Sequence, residues 1–397
     1  MTVDRGLIRE RNKIGYSQEE VSHALGVSRA MISYWESGTR RPNDRQLVAL
    51  ANLFGVEPGE LLSDAAGDPE GADLAQMMFR GETMELSAPA RHGIERFVRF
   101  LDDYAELSEL AKIPIRGAMQ SPFGLTAGYD STEDARRKAE EVRAHLRLGL
   151  GPVGDVDMAC ELLGITVFRA DLGDDLDSAP SGAFLKHPRV GLSILVNLQM
   201  TPGRRRFTVA HEVGHALFHS DRHSFVVSRR TGDGVEKFAN AFAGEFLMPV
   251  EGLRRAMEEQ GFGPRIEDAA DVVHLQRFFR VSYASTLVRL RQARFLTSAR
   301  YDEFRQIRPV LFAAALGYET VDEEYEQDVE HWRIRRFPPK FVRMIRVAVE
   351  GGVISSGTAA AITGLSIDEI EELVAQDGPA DPETRAEIEE FAGILDG

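Results

Sequence analysis

A single cysteine among 397 residues, Cys160, has nothing to pair with and excludes an internal disulfide. No apolar run approaches the ~20 residues that a membrane-spanning helix needs, and the opening residues MTVDRGLIRERNK lack the apolar stretch of a signal peptide. Both absences point to a cytoplasmic chain with no membrane partner. A general basic excess is missing too: 47 Lys and Arg face 63 Asp and Glu, a net charge of −16, which excludes a chain that grips nucleic acid along its whole length. The deficit is uneven. Ile367 to Gly397 holds eleven acids against Arg385 alone, whereas residues 1–62 balance eight acids with eight basic residues. A small DNA-binding domain fits there if Arg29, Arg40, Arg41 and Arg45 cluster. The length suggests two or three domains, and a hydrophobic content of 43% fills ordinary cores.

The chain is organised around Arg204 to His219, RRRFTVAHEVGHALFH. Residues four apart share a helix face, so His211 and His215 can offer two imidazole nitrogens to one metal ion while Glu212 leans over its open side. Such an HExxH pattern is the apparatus of a zinc peptidase, although a surface helix with two histidines would read the same way. Phe207, Ala210, Gly214 and Leu217 form an apolar strip that predicts a helix buried on one side. A catalytic zinc needs a third protein ligand. Glu236, in VEKFANAFAGEFLMP, fits best, with Asn240 one turn later placed to hydrogen-bond a ligand histidine; Phe238, Phe242 and Phe246 mark the core side. Glu245 and Asp221 are the alternatives. Phe218 stands where the zincin class that uses a ligand at the Asp221 position wants glycine. His219 continues the histidine face and reads as a polar core residue or a substrate contact.

These two signatures together resemble the ImmA/IrrE family of metallopeptidases over residues 135 to 250. By motif position, the resemblance implies His211, His215 and Glu236 as metal ligands and Glu212 as the base. It also implies a gluzincin-like fold and a protein substrate of the helix-turn-helix repressor type. Zn2+ is the expected cofactor, and Mn2+ or another divalent ion suits two histidines and a carboxylate as well.

Near the N-terminus, Ser17-Gln-Glu-Glu20 is a capping box opening a helix through Leu25. Gly26 permits a tight turn, Ser28 caps a second helix from Arg29 to Ser37, and Gly38 ends it. Leu25, Val27, Ile32, Trp35, Leu47, Leu50 and Leu53 supply the core. This stretch resembles the Cro-like (XRE) helix-turn-helix family. The resemblance implies that Arg29, Ala30 and Tyr34 face base edges, and that Gln18, Ser28, Ser33 and the Arg40-Arg41 loop meet phosphates or flanking bases. It implies a double-stranded operator and a homodimer as well.

Elsewhere, a helix is expected from Ala90 to Leu110, a loop over 113–130, and a capped helix from Ser131 to Arg147. Leu162 to Phe168, Gly182 to Leu185 and Val190 to Asn197 read as strands, whose edge either takes up an extended substrate or simply covers the metal helix. After Pro249 the chain is helical again. Phe279-Arg-Val-Ser-Tyr283 and Thr363-Gly-Leu-Ser366 echo Leu25-Gly-Val-Ser28 and are expected to be structural hairpins, with extra DNA-reading units as the alternative. Trp332 to Arg346 carries six basic residues and no acid, and so could track phosphates or dock the acidic C-terminal tail.

The expected architecture is therefore multidomain. An all-α helix-turn-helix domain occupies 1–63, a helical linker or dimerisation region 64–130, and an α+β zincin-like domain 131–250. A mostly α-helical region of possible regulatory role occupies 251–397. The expected function is a DNA-binding transcriptional regulator carrying a zinc-dependent endopeptidase that cleaves a repressor-type protein or itself. The alternative is a transcription factor whose peptidase-like domain is a non-proteolytic sensor or partner-binding module.

Overall fold

The computed structural model describes residues 3–14, 16–54, 61, 86–115, 117–123, 131–175, 179–220, 225–228, 234–318 and 336–375. Contacts divide the chain into two compact units, Met1–Asp102 with Arg116–Pro338, and Asp103–Ile115 with Pro339–Gly397.

The first unit opens with α1 (Val3–Ile14), α2 (Gln18–Ala24), α3 (Arg29–Glu36) and α4 (Asp44–Phe54). Local chemistry sets these boundaries. Ser17 Oγ accepts from the Glu20 amide at 3.2 Å, and Glu20 Oε2 accepts from the Ser17 amide at 2.7 Å, so the expected capping box closes both ways. Gly26 takes φ +64°, and Ser28 Oγ then accepts from the Met31 amide at 3.3 Å to start α3. Leu7, Val21, Ile32, Trp35, Leu50 and Phe54 are buried together, with Leu25, Val27, Leu47 and Leu53 packed against them. The Arg11 guanidinium pairs with Glu36, which also accepts from Gln18 Nε2 at 2.8 Å, so α1, α2 and α3 share one polar clasp.

Helix α5 spans Ala88–Ala111 and presents Ile94, Phe97, Val98 and Leu101 as its buried face. Then come α6 (Thr132–His145), capped by Ser131, and α7 (Val156–Leu162), capped by Asp155. The strand expected over 162–168 starts later. Asp155 accepts from the amides of Asp157 and Met158 and nucleates a helix through Leu162, and Gly164 at φ +70° turns the chain into β1 (Thr166–Ala170). β2 (Gly182–His187), β3 (Gly191–Asn197), α8 (Pro202–Phe218), β4 (Phe225–Ser228) and α9 (Gly234–Leu247) follow. The sheet order is β1-β3-β2-β4, with β1 parallel to β3 and the other pairs antiparallel. All seven residues of β3 are buried, as a central strand requires.

The core of this domain continues past residue 250. It takes in α10 (Val250–Glu259), α11 (Ala269–Phe279), α12 (Tyr283–Gln292), α13 (Ser298–Phe304) and α14 (Pro309–Ala315), through Leu253, Val272, Phe279, Leu287, Leu290, Phe304 and Ala313. Between α11 and α12, Arg280 lies at φ +55° and Ser282 caps, which repeats the turn of residues 26–28. Here the second helix is not available to a groove. Tyr283, Thr286, Leu287, Arg289 and Leu290 are buried, and a Cβ at Gly203 of α8 would come within 2.7 Å of the Ser282 amide nitrogen. The α11–α12 hairpin is thus a brace for the metal-motif helix.

The second unit holds α15 (Pro339–Glu350), α16 (Ser356–Thr363) and α17 (Ile367–Ala375). Gly364 at φ +64°, buried Leu365 and Ser366, which caps against Glu369, make the same turn a third time. Its second helix carries Asp368, Glu369, Glu371 and Glu372, charges that a phosphate backbone repels. Of the basic run, residues 332–335 lie outside the described residues, as does the tail from 376.

Glu245 of α9 and Arg289 of α12 form an ion pair in which both side chains are buried, and Arg289 Nε also donates to the Met248 carbonyl at 2.9 Å. Arg289→Leu would strand the Glu245 charge, and a loss of about 3–5 kcal/mol in unfolding free energy is expected by denaturant titration.

Candidate metal centre

Helix α8 is buried on every side from Thr208 to Phe218. Gly214 makes its contact with α9 close, since a Cβ there would lie 3.2 Å from the Phe242 ring and 3.4 Å from Ala239 Cα. Phe238, Phe242 and Phe246 seat α9 in the core, as expected from sequence, and this turns Glu236 and Asn240 toward α8.

Three donors converge there. His211 Nε2 and His215 Nε2 are 3.0 Å apart, Glu236 Oε2 is 3.3 Å from His211 Nε2, and Glu236 Oε1 is 3.2 Å from His215 Nε2. A tetrahedral ion with bonds near 2.0–2.1 Å needs donors about 3.3 Å apart, so these separations suit a zinc-sized ion. The outer nitrogens reinforce the fit. His211 Nδ1 lies 3.1 Å from Asn240 Oδ1, an acceptor, so the ring proton belongs on Nδ1 and the Nε2 lone pair faces the centre. His215 Nδ1 is 3.0 Å from His219 Nδ1, which directs the His215 Nε2 lone pair inward when His219 accepts. Two lone pairs and a carboxylate aimed at one point repel one another unless a cation lies between them. His211, His215 and Glu236 are the one group of metal-competent side chains found among the described residues.

Burial raises the Glu236 carboxyl, but His211 and His215, which donate to it through Nε2 when their rings are protonated, outweigh burial and hold the group at about 2, so it is an anion at any physiological pH. For His211, burial works against the charged form, while Glu236 and the Glu212 charge favour it, and the net displacement is upward. Glu212 is fully buried on the same helix. Glu245 is committed to Arg289 and to the Val250 amide at 3.0 Å, away from the imidazoles, and Asp221 lies outside the described residues. His219 is buried against His215, a contact foreshadowed by the i, i+4 continuation of the histidine face. The arginine brace at position 289 was not foreseen, because nothing in local sequence ties it to a glutamate 44 residues earlier.

On the helix-turn-helix, Arg29, Ala30, Ser33, Tyr34, Arg40 and Arg41 are exposed, with Arg40 5.9 Å from the Tyr34 ring centre. Ser28 is exposed, with its hydroxyl oxygen accepting the α3 cap, and half-buried Gln18 donates one amide hydrogen to Glu36.

Comparison with known families agrees with this layout. Residues 160–291 match the IrrE N-terminal-like domain, and residues 7–61 match the helix-turn-helix family. The chain carries both domains. Among curated relatives, the radiation response metalloprotease IrrE of Deinococcus radiodurans is 36% identical over 77 residues, 18% of this chain and 23% of that protein. The IrrE of Deinococcus deserti is 41% identical over 64 residues, 15% of this chain and 23% of the relative. Metallopeptidase ImmA of Bacillus subtilis is 27% identical over 107 residues, 26% of this chain and 60% of the relative. The chain thus spans under a quarter of the two IrrE proteins. The IrrE-like match is to a metallopeptidase family, and His211, His215 and Glu236 form a group that could hold a divalent ion. No helix among the described residues is long and apolar enough to cross a membrane.

Protons compete with a metal for the imidazole lone pairs. Because His211 titrates above its ordinary 6.5 whereas Glu236 stays ionised down to about 2, zinc affinity should begin to fall above pH 6.5 and keep falling as pH drops. Chelator competition between pH 8 and pH 5.5 measures this, and a flat affinity would contradict it.

Proposed function

We propose that this chain is a transcriptional regulator with a resident zinc-dependent endopeptidase, whose helix-turn-helix places the enzyme on operator DNA. The observation that carries the reading is the convergence of His211 Nε2, His215 Nε2 and the Glu236 carboxylate within 3.3 Å of one another, on the helix that also bears Glu212. In this reading His211, His215 and Glu236 are the metal ligands, with Asn240 holding the His211 ring. A divalent ion held there, zinc or one such as Mn2+, would supply Lewis-acid activation of a water and of the scissile carbonyl. Glu212 takes the proton from the water and delivers it to the departing amine, so one buried carboxylate serves as base and then as acid. β4, the outer strand beside β2, offers main-chain groups with which an extended peptide can pair.

The substrate class we assign is a helix-turn-helix repressor, either a second protein or this chain itself. This chain carries a helix-turn-helix of its own, so cleavage in its own linker would separate DNA binding from the rest. Arg29, Ala30 and Tyr34 read bases, while Gln18, Ser28, Ser33, Arg40 and Arg41 steady the backbone, and a homodimer matches a near-palindromic operator.

Metal analysis of the full chain should find about one equivalent of zinc per polypeptide, retained in Glu212→Gln. That variant should lose cleavage by about 10²–10⁴-fold, measured on candidate repressors and on the chain itself; absence of stoichiometric metal in the parent protein sinks the reading. For the DNA-binding half, Arg29→Ala should abolish sequence-specific footprints and weaken binding by about 1–3 kcal/mol. Unchanged protection would remove α3 from the groove.

A further inference from the structure

Gly182, the first residue of β2, is a glycine that its φ does not require. It is absent from the positive-φ glycines, which here include Gly26, Gly164 and Gly364 at turns. Within a strand, glycine costs about 0.5–1 kcal/mol relative to alanine, so its presence points to a close approach by something else. Three neighbours come that close, the Leu195 carbonyl oxygen, Glu212 and Thr208, and of these Glu212 is the one with chemistry to place. A Cβ at position 182 would fall 2.8 Å from Glu212 Oε1, 2.7 Å from the Leu195 carbonyl oxygen and 2.9 Å from Thr208 Cγ2. The carboxylate therefore lies directly against the strand backbone. Thr208, one helical turn before Glu212, closes a second side with its methyl, while its hydroxyl is turned to Met200 Sδ at 3.8 Å. β2 is held in place at this point by its pairing with Val196 of β3 and Ser228 of β4.

We infer that Gly182 is a positioning residue: with Thr208 it forms a slot, cut into the sheet, that seats the Glu212 carboxylate and sets where it can take a proton. The functional meaning rests on the proposed role of Glu212 as base. The slot explains how a side chain with several rotatable bonds is held in one place beside the metal donors. Helices position the metal donors, and the sheet positions the base. A serine or alanine at 182 would drive the carboxylate out while leaving the three donors on α8 and α9 where they are.

The test is a double-mutant cycle on the full chain with Gly182→Ala, Glu212→Ala and the pair, reading thermal midpoint and metal content, together with Glu212→Gln and Gly182→Ala loaded with Co2+. Gly182→Ala should lower the midpoint by about 4 °C or more with Glu212 present and by less than half as much in the Glu212→Ala background. Metal content should stay at the parent level. The pH midpoint of the Co2+ absorption spectrum should move in the direction that Glu212→Gln moves it, by at least half that shift, which loss of sheet stability alone would not do. Equal destabilisation in both backgrounds, or an unmoved spectrum in a folded, Co2+-loaded Gly182→Ala protein, overturns the inference. Folding of the double variant where Gly182→Ala alone fails supports it; failure of both assigns the glycine to the Leu195 contact and overturns it. If Glu212→Gln itself leaves the spectrum unchanged, the base role fails while the thermal cycle still decides the slot.

Discussion

The structure depends on how closely two helices approach. Gly214 removes the side chain that would hold α9 away from α8, and the Phe238, Phe242 and Phe246 edge fixes how α9 is rotated. Only with both does the Glu236 carboxylate meet two imidazoles that already share a face. A looser contact would leave a helix with two histidines and no third donor beside them. Close packing between buried helices has little slack, which is why a single methylene there carries functional weight.

Around that contact, each group is held by a different layer. The imidazoles are oriented from outside by Asn240 and His219, and Glu212 sits against the sheet at Gly182. The far end of α9 is tied through Glu245 and Arg289 to α12. The helices after residue 250 are thus part of what keeps the centre rigid, and the family match through residue 291 covers the same extent.

One local device recurs with three outcomes. A left-handed residue, an apolar residue and a capping serine occur at 26–28, 280–282 and 364–366. After the first, α3 shows Arg29, Ser33 and Tyr34 to solvent. After the second, α12 is buried in the domain core. After the third, α17 is acidic. The turn specifies the angle between two helices and nothing about what the second one meets, so its surroundings and surface charge decide the role.

Much was legible before any coordinates, because it depends on residues near in sequence. The capping box at Ser17–Glu20, the i, i+4 histidine pair, the aromatic edge of α9 and the strand ending at Asn197 all follow from residue type, periodicity and local hydrogen bonding. Where local signals competed, as at 156–168, an aspartate cap extended a helix into residues whose apolar content suggested a strand. Sequence alone determined which side chains were available to form a metal site and on which helix faces they stood. Only the tertiary structure decided that Glu236 and not Glu245 lies beside the two imidazoles, that His219 packs against His215, and that a strand glycine lies against Glu212. Those outcomes depend on contacts between residues far apart along the chain, and such contacts leave no periodic trace in either partner.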